Sequence, residues 1–299
     1  MRTREGRRGL LFICILAVVL LALLLLSFGL GRYAVPPAEV IRILLSRIFP
    51  VTPSWTEQME TAVISIRLPR ILLACMVGGC LSAAGTAYQS VFRNPMAAPD
   101  ILGASSGACF GAALAILLGF SRSGVTALAF VSSLLSVALV YAIARRAKGN
   151  PVTMLLLAGV MIGSLFSACT SYVKLVADPT NQLPAITYWL MGSLSGTRMN
   201  AVGFAAVPML IGLAPLLALR WRINLLTLDE EEARSMGVNT GRLRLVVILC
   251  ATVLTAACVA VSGMIGWVGL VIPQAGGQQL PLSSPGFNDF RGHIPAAGG

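Results

Sequence analysis

Residues 9–31 read GLLFICILAVVLLALLLLSFGLG, a run without a charged side chain between Arg8 and Arg32. A transmembrane helix needs about 20 mostly apolar residues to cross the hydrocarbon layer of a bilayer. The run is too long for the apolar core of a cleavable signal peptide, and no A-x-A-like cleavage site follows it. We therefore expect residues 9–31 to form a retained membrane-spanning helix.

Six further segments have the same character. Hydrophobic residues make up 57% of the 299-residue chain and charged residues only 11%, against about 25% charged residues in an ordinary soluble domain. The sequence therefore predicts an all-α membrane protein, a polytopic helical bundle with seven spans. The other spans are expected at residues 71–92, 101–121, 123–144, 151–173, 199–219 and 245–263.

One uncharged stretch, residues 179–197, does not qualify as a span. It contains Pro179 and Pro184 together with Asn181, Gln182 and several hydroxyl groups. A backbone this broken and polar does not cross lipid alone. We expect instead a short helix around residues 186–194 at the outer membrane face, where Trp189 suits an interfacial position.

The positive charges indicate the direction of the spans. With the N-terminus inside, the inner segments carry 13 Lys and Arg residues and the outer segments carry 8. Inner loops of membrane proteins are enriched in Lys and Arg. The N-terminus is therefore expected to be cytoplasmic.

Several kinds of chemistry have no support in the sequence. It has no G-x-x-x-x-G-K-[ST] phosphate loop and no H-E-x-x-H motif. A G-x-S-x-G match at residues 103–107 opens an apolar span, and the only histidine, His293, lies in a polar tail. The seven cysteines lie in apolar runs without the spacing of a metal site, and the basic residues form no nucleic-acid-binding patch. We expect no enzymatic activity, no bound cofactor or metal, and no nucleic-acid partner.

The energy for any active transport is expected to come from another chain. Ion-coupled pumps usually place Asp, Glu or His inside a span, and the seven predicted spans contain none of these residues.

Two distant segments resemble each other in opposite orientations. A shift of 178 residues places Gly85 on Gly263 and Pro95 on Pro273. This pattern is typical of the inverted repeats of transporters, although two apolar helices can also match by chance. After Pro273 the composition changes abruptly to Gly, Pro, Ser and Gln. We expect a transmembrane domain at residues 1–273, with a truncated or frameshifted second half, and an irregular, disordered tail at 274–299.

Two polar segments stand out. In residues 93–107, Pro95 and Pro99 separate two helices, and the small residues that follow either pack tightly or line a wet path. In residues 226–238, acidic residues open a predicted helix and Gly237 closes it. Its bare face, formed by Ala233 and Gly237, suits either a larger partner or solvent.

Motifs in a fixed order resemble the permease subunits of ATP-binding-cassette importers for iron–siderophore complexes, haem and cobalamin. The resemblance covers residues 5–273. It rests on RLPR at 67–70, Gln89, RNPMAAP at 93–99, LGASSG at 102–107, WLMGSL at 189–194, EEARSMG at 231–237 and SGMIGWVGLVIP at 262–273. The family pattern of ten helices departs here at Gln274, where a His and three further helices would follow.

The resemblance implies a role for each motif. Arg67 and Arg70 would dock an extracytoplasmic solute-binding protein. A set of polar and small residues would form the translocation pathway and its inner gate, and a helix would couple to cytoplasmic ATPase subunits that use ATP. The pathway set is Gln89, Asn94, Pro95, Met96, Gly103, Ser105, Ser106 and Gly107, and the coupling set is Glu231, Glu232, Ala233, Ser235, Met236 and Gly237.

The expected assembly is a dimer with a second permease subunit in the bacterial inner membrane. A ferric siderophore is the favoured cargo, with haem or cobalamin as alternatives. An autonomous secondary transporter and an inactive truncated remnant remain as other interpretations.

Overall fold

The computed structural model describes residues 2–29, 31, 33–47, 49–50, 52–227, 235–237, 239–266 and 268–279, and side chains from Leu11 to Pro273 within them, except that of Phe12. Every regular element in these ranges is helical. The helices are α1 (Arg2–Gly29), α2 (Pro37–Leu45), α3 (Glu57–Phe92), α4 (Ala104–Leu117), α5 (Arg122–Arg146), α6 (Pro151–Val176), α7 (Gln182–Leu190), α8 (Met199–Ala218), α9 (Arg220–Leu225), α10 (Thr240–Ser262) and α11 (Val268–Gln279).

The helices confirm a polytopic membrane protein. Five of them, α3, α5, α6, α8 and α10, are long and apolar enough to cross a membrane. The apolar part of α1 from Ile13 and the whole of α4 are apolar but shorter. The chain is therefore multi-pass.

The predicted span at residues 101–121 is shorter in the structure. A 3₁₀ turn covers Pro99–Leu102, and Gly103 then adopts φ 71° before α4 begins. Gly119, at φ 72°, follows the end of α4. These left-handed positions, which glycine adopts at little cost, limit α4 to 14 residues. The short helix expected at 186–194 begins earlier, as α7 at Gln182–Leu190.

The chain divides into two compact units. The first contains the residues up to Arg67 and from Ile272 onward. Within it α2 begins with Pro37 at its first position and makes polar contacts through the side chain of Arg42. Arg42 donates to Glu39 at 3.1 Å and to Ser54 at 3.0 Å. Residues Thr61–Arg67 of α3 form π-helical turns.

The second unit, Leu68–Val271, contains the main bundle. Helix α10 lies at its centre and packs against α4, α5, α8 and the part of α3 from Leu68 onward. In the most apolar stretch of α10, 67% of the residues are buried, against 28–33% for α5, α6 and α8. The outer faces of these three helices are therefore available to lipid.

The crossing of α3 and α10 supports the inverted repeat. The shift of 178 residues that relates Gly85 to Gly263 also relates Cys80 to Cys258. Both cysteines are buried, and the Cys258 thiol donates to the Val77 carbonyl on α3, three residues before Cys80, at 3.8 Å. The two helices therefore touch close to these equivalent positions of the two halves.

Helix α11 extends into the segment expected to be irregular. It passes Pro273 and continues to Gln279, so residues 274–279 are helical. Extending an existing helix costs less than nucleating one, which allows the turn containing Gly276 and Gly277 to form. The rest of the predicted tail, residues 280–299, lies outside the described residues.

Candidate functional site

The loop after α3 carries three of the predicted gate residues, Asn94, Pro95 and Met96. The Asn94 N–H donates to the Gln89 carbonyl at 3.2 Å, and Asn94 Oδ1 accepts from the Met96 N–H at 2.9 Å. Such an Asx turn fixes a tight loop through its own side chain. The turn leaves Met96 65% exposed.

Gln89 lies half-buried in the last turn of α3 before this loop. Its Nε2 atom is buried and has no hydrogen-bond partner in the part of the chain that the structure describes. Leaving such a donor without a partner costs about 1–3 kcal/mol. Gln89 therefore places a polar group inside the bundle that no described residue satisfies.

A cavity of about 420 Å³ lies between the start of α4 and the middle of α6. Asp100, Gly103 and Ser106 line it on one side. The α6 side is a strip of small and hydroxylated residues. Its described lining from α6 is Gly159, Val160, Gly163, Ser164 and Ser167.

Some of the small residues in 103–107 line the cavity, and others pack against neighbouring parts of the protein. Gly103 and Ser106 line the cavity, and the buried Ser105 hydroxyl donates to the Asp100 carboxylate. Gly107 packs against α5, where an added Cβ would lie 2.6 Å from Ser136 Cβ. The predicted pathway residues of this segment therefore do not all share one surface.

Asp100 carries the only acidic side chain among the described residues that line this cavity. The residue reaches the surface, but its carboxyl group is packed among protein atoms. This burial raises the pKa of the Asp100 carboxyl above its ordinary value, and the hydrogen bond from Ser105 opposes the shift.

The α6 side of the cavity was not predicted from the sequence. Gly159 allows the closest approach, because a Cβ there would lie 2.2 Å from the Ile101 carbonyl oxygen. The available signal was the spacing of Gly159 and Gly163, a small-x-x-x-small pattern that lets backbones approach. Ser164 and Ser167 lie on the same side of the helix.

A hydrogen bond links the gate loop, residues 93–98, to Leu226, which precedes the predicted coupling segment at residues 231–237. Arg93 has φ 49°, and its Nε donates to the Leu226 carbonyl at 2.9 Å. Glu231, Glu232 and Ala233 of the coupling set lie outside the described residues.

The remaining coupling residues lie just before α10. Ser235 and the exposed Met236 precede Gly237, which has φ 76°. This left-handed glycine agrees with the predicted helix end.

The two arginines predicted to dock a binding protein differ in environment. Arg67 is buried, and its guanidinium donates to the carbonyls of Phe28 and Tyr33. Phe28 lies in the last turn of α1, where carbonyl groups lack helical partners. Arg70 is exposed.

Comparisons with known proteins agree on one family. Residues 19–280 match the FecCD transport family. The chain is 38% identical over 258 residues to the molybdate import system permease protein MolB of Haemophilus influenzae, covering 86% of this chain and 76% of that protein. It is 37% identical over 276 residues to a Helicobacter pylori iron chelatin transport system permease, covering 90% and 83%.

A solved structure agrees with these relatives. It is described as an inward-facing conformation of a metal-chelate type ABC transporter, and it matches with a TM-score of 0.78 and 36% identity over 89% of this chain and 80% of that one. Permeases of this kind are transport subunits, and the ATPase is a separate chain in such systems. The chain therefore belongs to the FecCD transport family and is a membrane permease subunit of an ATP-binding-cassette importer.

Proposed function

We propose that this permease carries a bulky metal chelate, most simply a ferric siderophore. The observation that carries the proposal is the lining of the 420 Å³ cavity. It offers the Asp100 carboxylate and serine hydroxyls, and none of its described lining residues is cationic. A carboxylate disfavours a small dianion such as the molybdate named for one relative, and hydroxyls suit a neutral or cationic chelate.

Haem and cobalamin remain alternative cargoes of the same site. Each is also a large metal chelate, and the described lining offers no side chain typical of an axial metal ligand such as His, Cys or Met. The choice among the three chelates thus depends on the binding protein that delivers the cargo.

The proposed assembly is a dimer with a second permease subunit, two cytoplasmic ATPase subunits and an extracytoplasmic binding protein. It lies in the bacterial inner membrane with the N-terminus in the cytoplasm. The exposed Arg70 supports docking of a binding protein, whereas the buried Arg67 would support it only indirectly by holding the end of α1. The residues 231–237 would contact the ATPase.

The test is uptake into proteoliposomes that contain this chain, its ATPase and its binding protein. We expect ATP-dependent uptake of a ⁵⁵Fe-labelled hydroxamate chelate and no uptake of ⁹⁹Mo-labelled molybdate. An ATPase without its phosphate-loop lysine is the control. Molybdate uptake without chelate uptake would refute the proposal.

Two other outcomes identify the alternative interpretations. Uptake that persists without the ATPase indicates a secondary transporter. No uptake of iron chelate, haemin, cobalamin or molybdate in the full system indicates a non-transporting remnant.

A further inference from the structure

A second cavity lies at the end of the bundle that is cytoplasmic in the proposed orientation. Its volume is about 520 Å³, within the range of roughly 300–1,000 Å³ typical of small-molecule sites. The last turns of α5, the loop that leads to α6 and the first turns of α10 enclose it. It shares no described lining residue with the 420 Å³ cavity and belongs to no part of the pathway described above.

Two arginine side chains line the cavity. Arg145 lines it from α5, and Arg244, which is about nine-tenths buried, lines it from α10. Helix α10 begins at the cavity with Asn239 as its N-cap, so the positive end of the helix dipole adds to the two guanidinium charges. None of the described lining residues is acidic. This lining fits an anion with several oxygen acceptors.

The remaining walls indicate where the anion comes from. Leu155 and Leu245 provide apolar lining, and Tyr141 offers a ring with a polar tip, a combination typical of the membrane interface. Leu249, one turn beyond Leu245 on the same side of α10, is 53% exposed. An apolar strip therefore leads from the arginine-lined cavity towards the hydrocarbon layer. Such a strip suits the acyl chain of a lipid, whereas a soluble phosphate has no group that would contact it.

We propose that this cavity binds the headgroup of an anionic phospholipid, with the phosphate between Arg145 and Arg244 and an acyl chain along Leu245 and Leu249. Basic pockets between transmembrane helices are a known type of site for such headgroups. The acidic residues of 229–232 lie outside the described part of the chain, and binding measured on the full chain includes their effect. Only the choice of the cytoplasmic leaflet rests on the proposed orientation, and lipid binding at this cavity does not require transport.

The test compares thermal unfolding midpoints of the purified full-length chain in neutral detergent. Phosphatidylglycerol is titrated, with phosphatidylcholine of the same acyl chains and sn-glycerol 3-phosphate as the two comparison arms. We expect phosphatidylglycerol to raise the midpoint more than either. Arg145→Gln should weaken the apparent affinity for phosphatidylglycerol about fivefold, the effect of one basic group near an anionic lipid.

Arg146→Gln is the matched control, because Arg146 is the next residue on α5, carries the same charge and does not line the cavity. Its affinity for phosphatidylglycerol should change less than about twofold. Arg244→Lys keeps the buried charge and tests the inner wall with less risk to folding than a neutral residue. It should bind more weakly than the unmodified chain, because Lys lacks the bidentate fork of Arg.

Three results would overturn the proposal. The first is an equal effect of phosphatidylcholine, which would mean that acyl chains alone stabilise the protein. The second is an equal effect of glycerol phosphate at the same concentration, which would make the cavity a soluble-anion site. The third is an equal loss of affinity in Arg146→Gln, which would mean that surface charge and not the cavity attracts the lipid.

Discussion

A buried hydrogen bond joins the two helices at the centre of the bundle. The hydroxyls of Tyr88 on α3 and Thr252 on α10 are 3.0 Å apart, and both residues are almost completely buried. Thr252 Oγ1 already donates to the Ile248 carbonyl at 2.7 Å. The Tyr88 hydroxyl is therefore the donor of the pair, and this asymmetry predicts unequal effects of removing either partner.

Thr252→Val removes the acceptor at nearly constant volume and leaves the Tyr88 hydroxyl buried without it, which should cost about 1–3 kcal/mol. Tyr88→Phe removes the donor, but Thr252 keeps its bond to Ile248, so the loss should be about 0.6 kcal/mol, the average for interhelical bonds in membranes. The double variant leaves no buried donor without an acceptor. It should therefore be more stable than Thr252→Val alone.

The assay is equilibrium unfolding of the full-length chain in mixed micelles, followed by far-ultraviolet circular dichroism. Thr86→Val is the control. Thr86 is exposed on α3, and its hydroxyl donates to the Ser82 carbonyl of the same helix at 2.9 Å. It should change the free energy of unfolding by less than about 0.5 kcal/mol. Equal destabilisation by Thr252→Val and Tyr88→Phe, or exact additivity in the double variant, would refute the assigned donor.

Three further predictions concern the candidate site. Gly159→Ala should lower the free energy of unfolding by about 1–3 kcal/mol, because the new Cβ would displace the Ile101 turn; Gly78→Ala, with open space around it, should not. Arg93→Ala should be less stable than Arg93→Gly by about 1 kcal/mol in denaturant titrations, because both lose the bond to Leu226 but only glycine relieves the positive φ; equal stabilities would argue against a strained loop. Burial raises the pKa of the Asp100 carboxyl, so the native chain binds more protons there than the unfolded chain. The free energy of unfolding should therefore rise as the pH falls through the raised pKa towards 3.8. Asp100→Asn should remove that part of the pH dependence, and the same pH dependence in this variant would contradict the assignment to Asp100.

The spans could be predicted from the sequence because lipid imposes a simple rule on length and charge. Helices α5, α6 and α8 lie close to their predicted ranges for this reason. The cavity strip on α6 does not follow from length and charge, because its glycines and serines are uncharged and fit a span as well as apolar residues do. The spacing of Gly159 and Gly163 indicates a close helix contact, but only the structure shows that its partner is the Ile101 turn.

Arg67 shows a different limit of sequence reasoning. Its charge at the outer end of a span predicts a surface role, but a charge pattern does not show which backbone groups lie nearby. Gly31 leaves room for the side chain, since a Cβ there would lie 2.6 Å from Arg67 Nη2. The carbonyls of Phe28 and Tyr33 then satisfy the guanidinium inside the protein. Burial of this arginine therefore depends on a contact across 39 residues that no local pattern encodes.

The predicted coupling segment is connected to the bundle at both ends. Before it, the Leu226 carbonyl accepts from Arg93 in the gate loop, and after it Asn239 caps α10 through a 3.0 Å bond to the Arg242 N–H. Because α10 is mostly buried, it cannot shift without repacking α3 at the Tyr88–Thr252 contact. On the proposed function, a force that an ATPase subunit applies to residues 231–237 would reach the gate loop through one end and the core through the other. Rigid packing around α10 would then favour two discrete arrangements of the bundle over a continuous range, as alternating access requires.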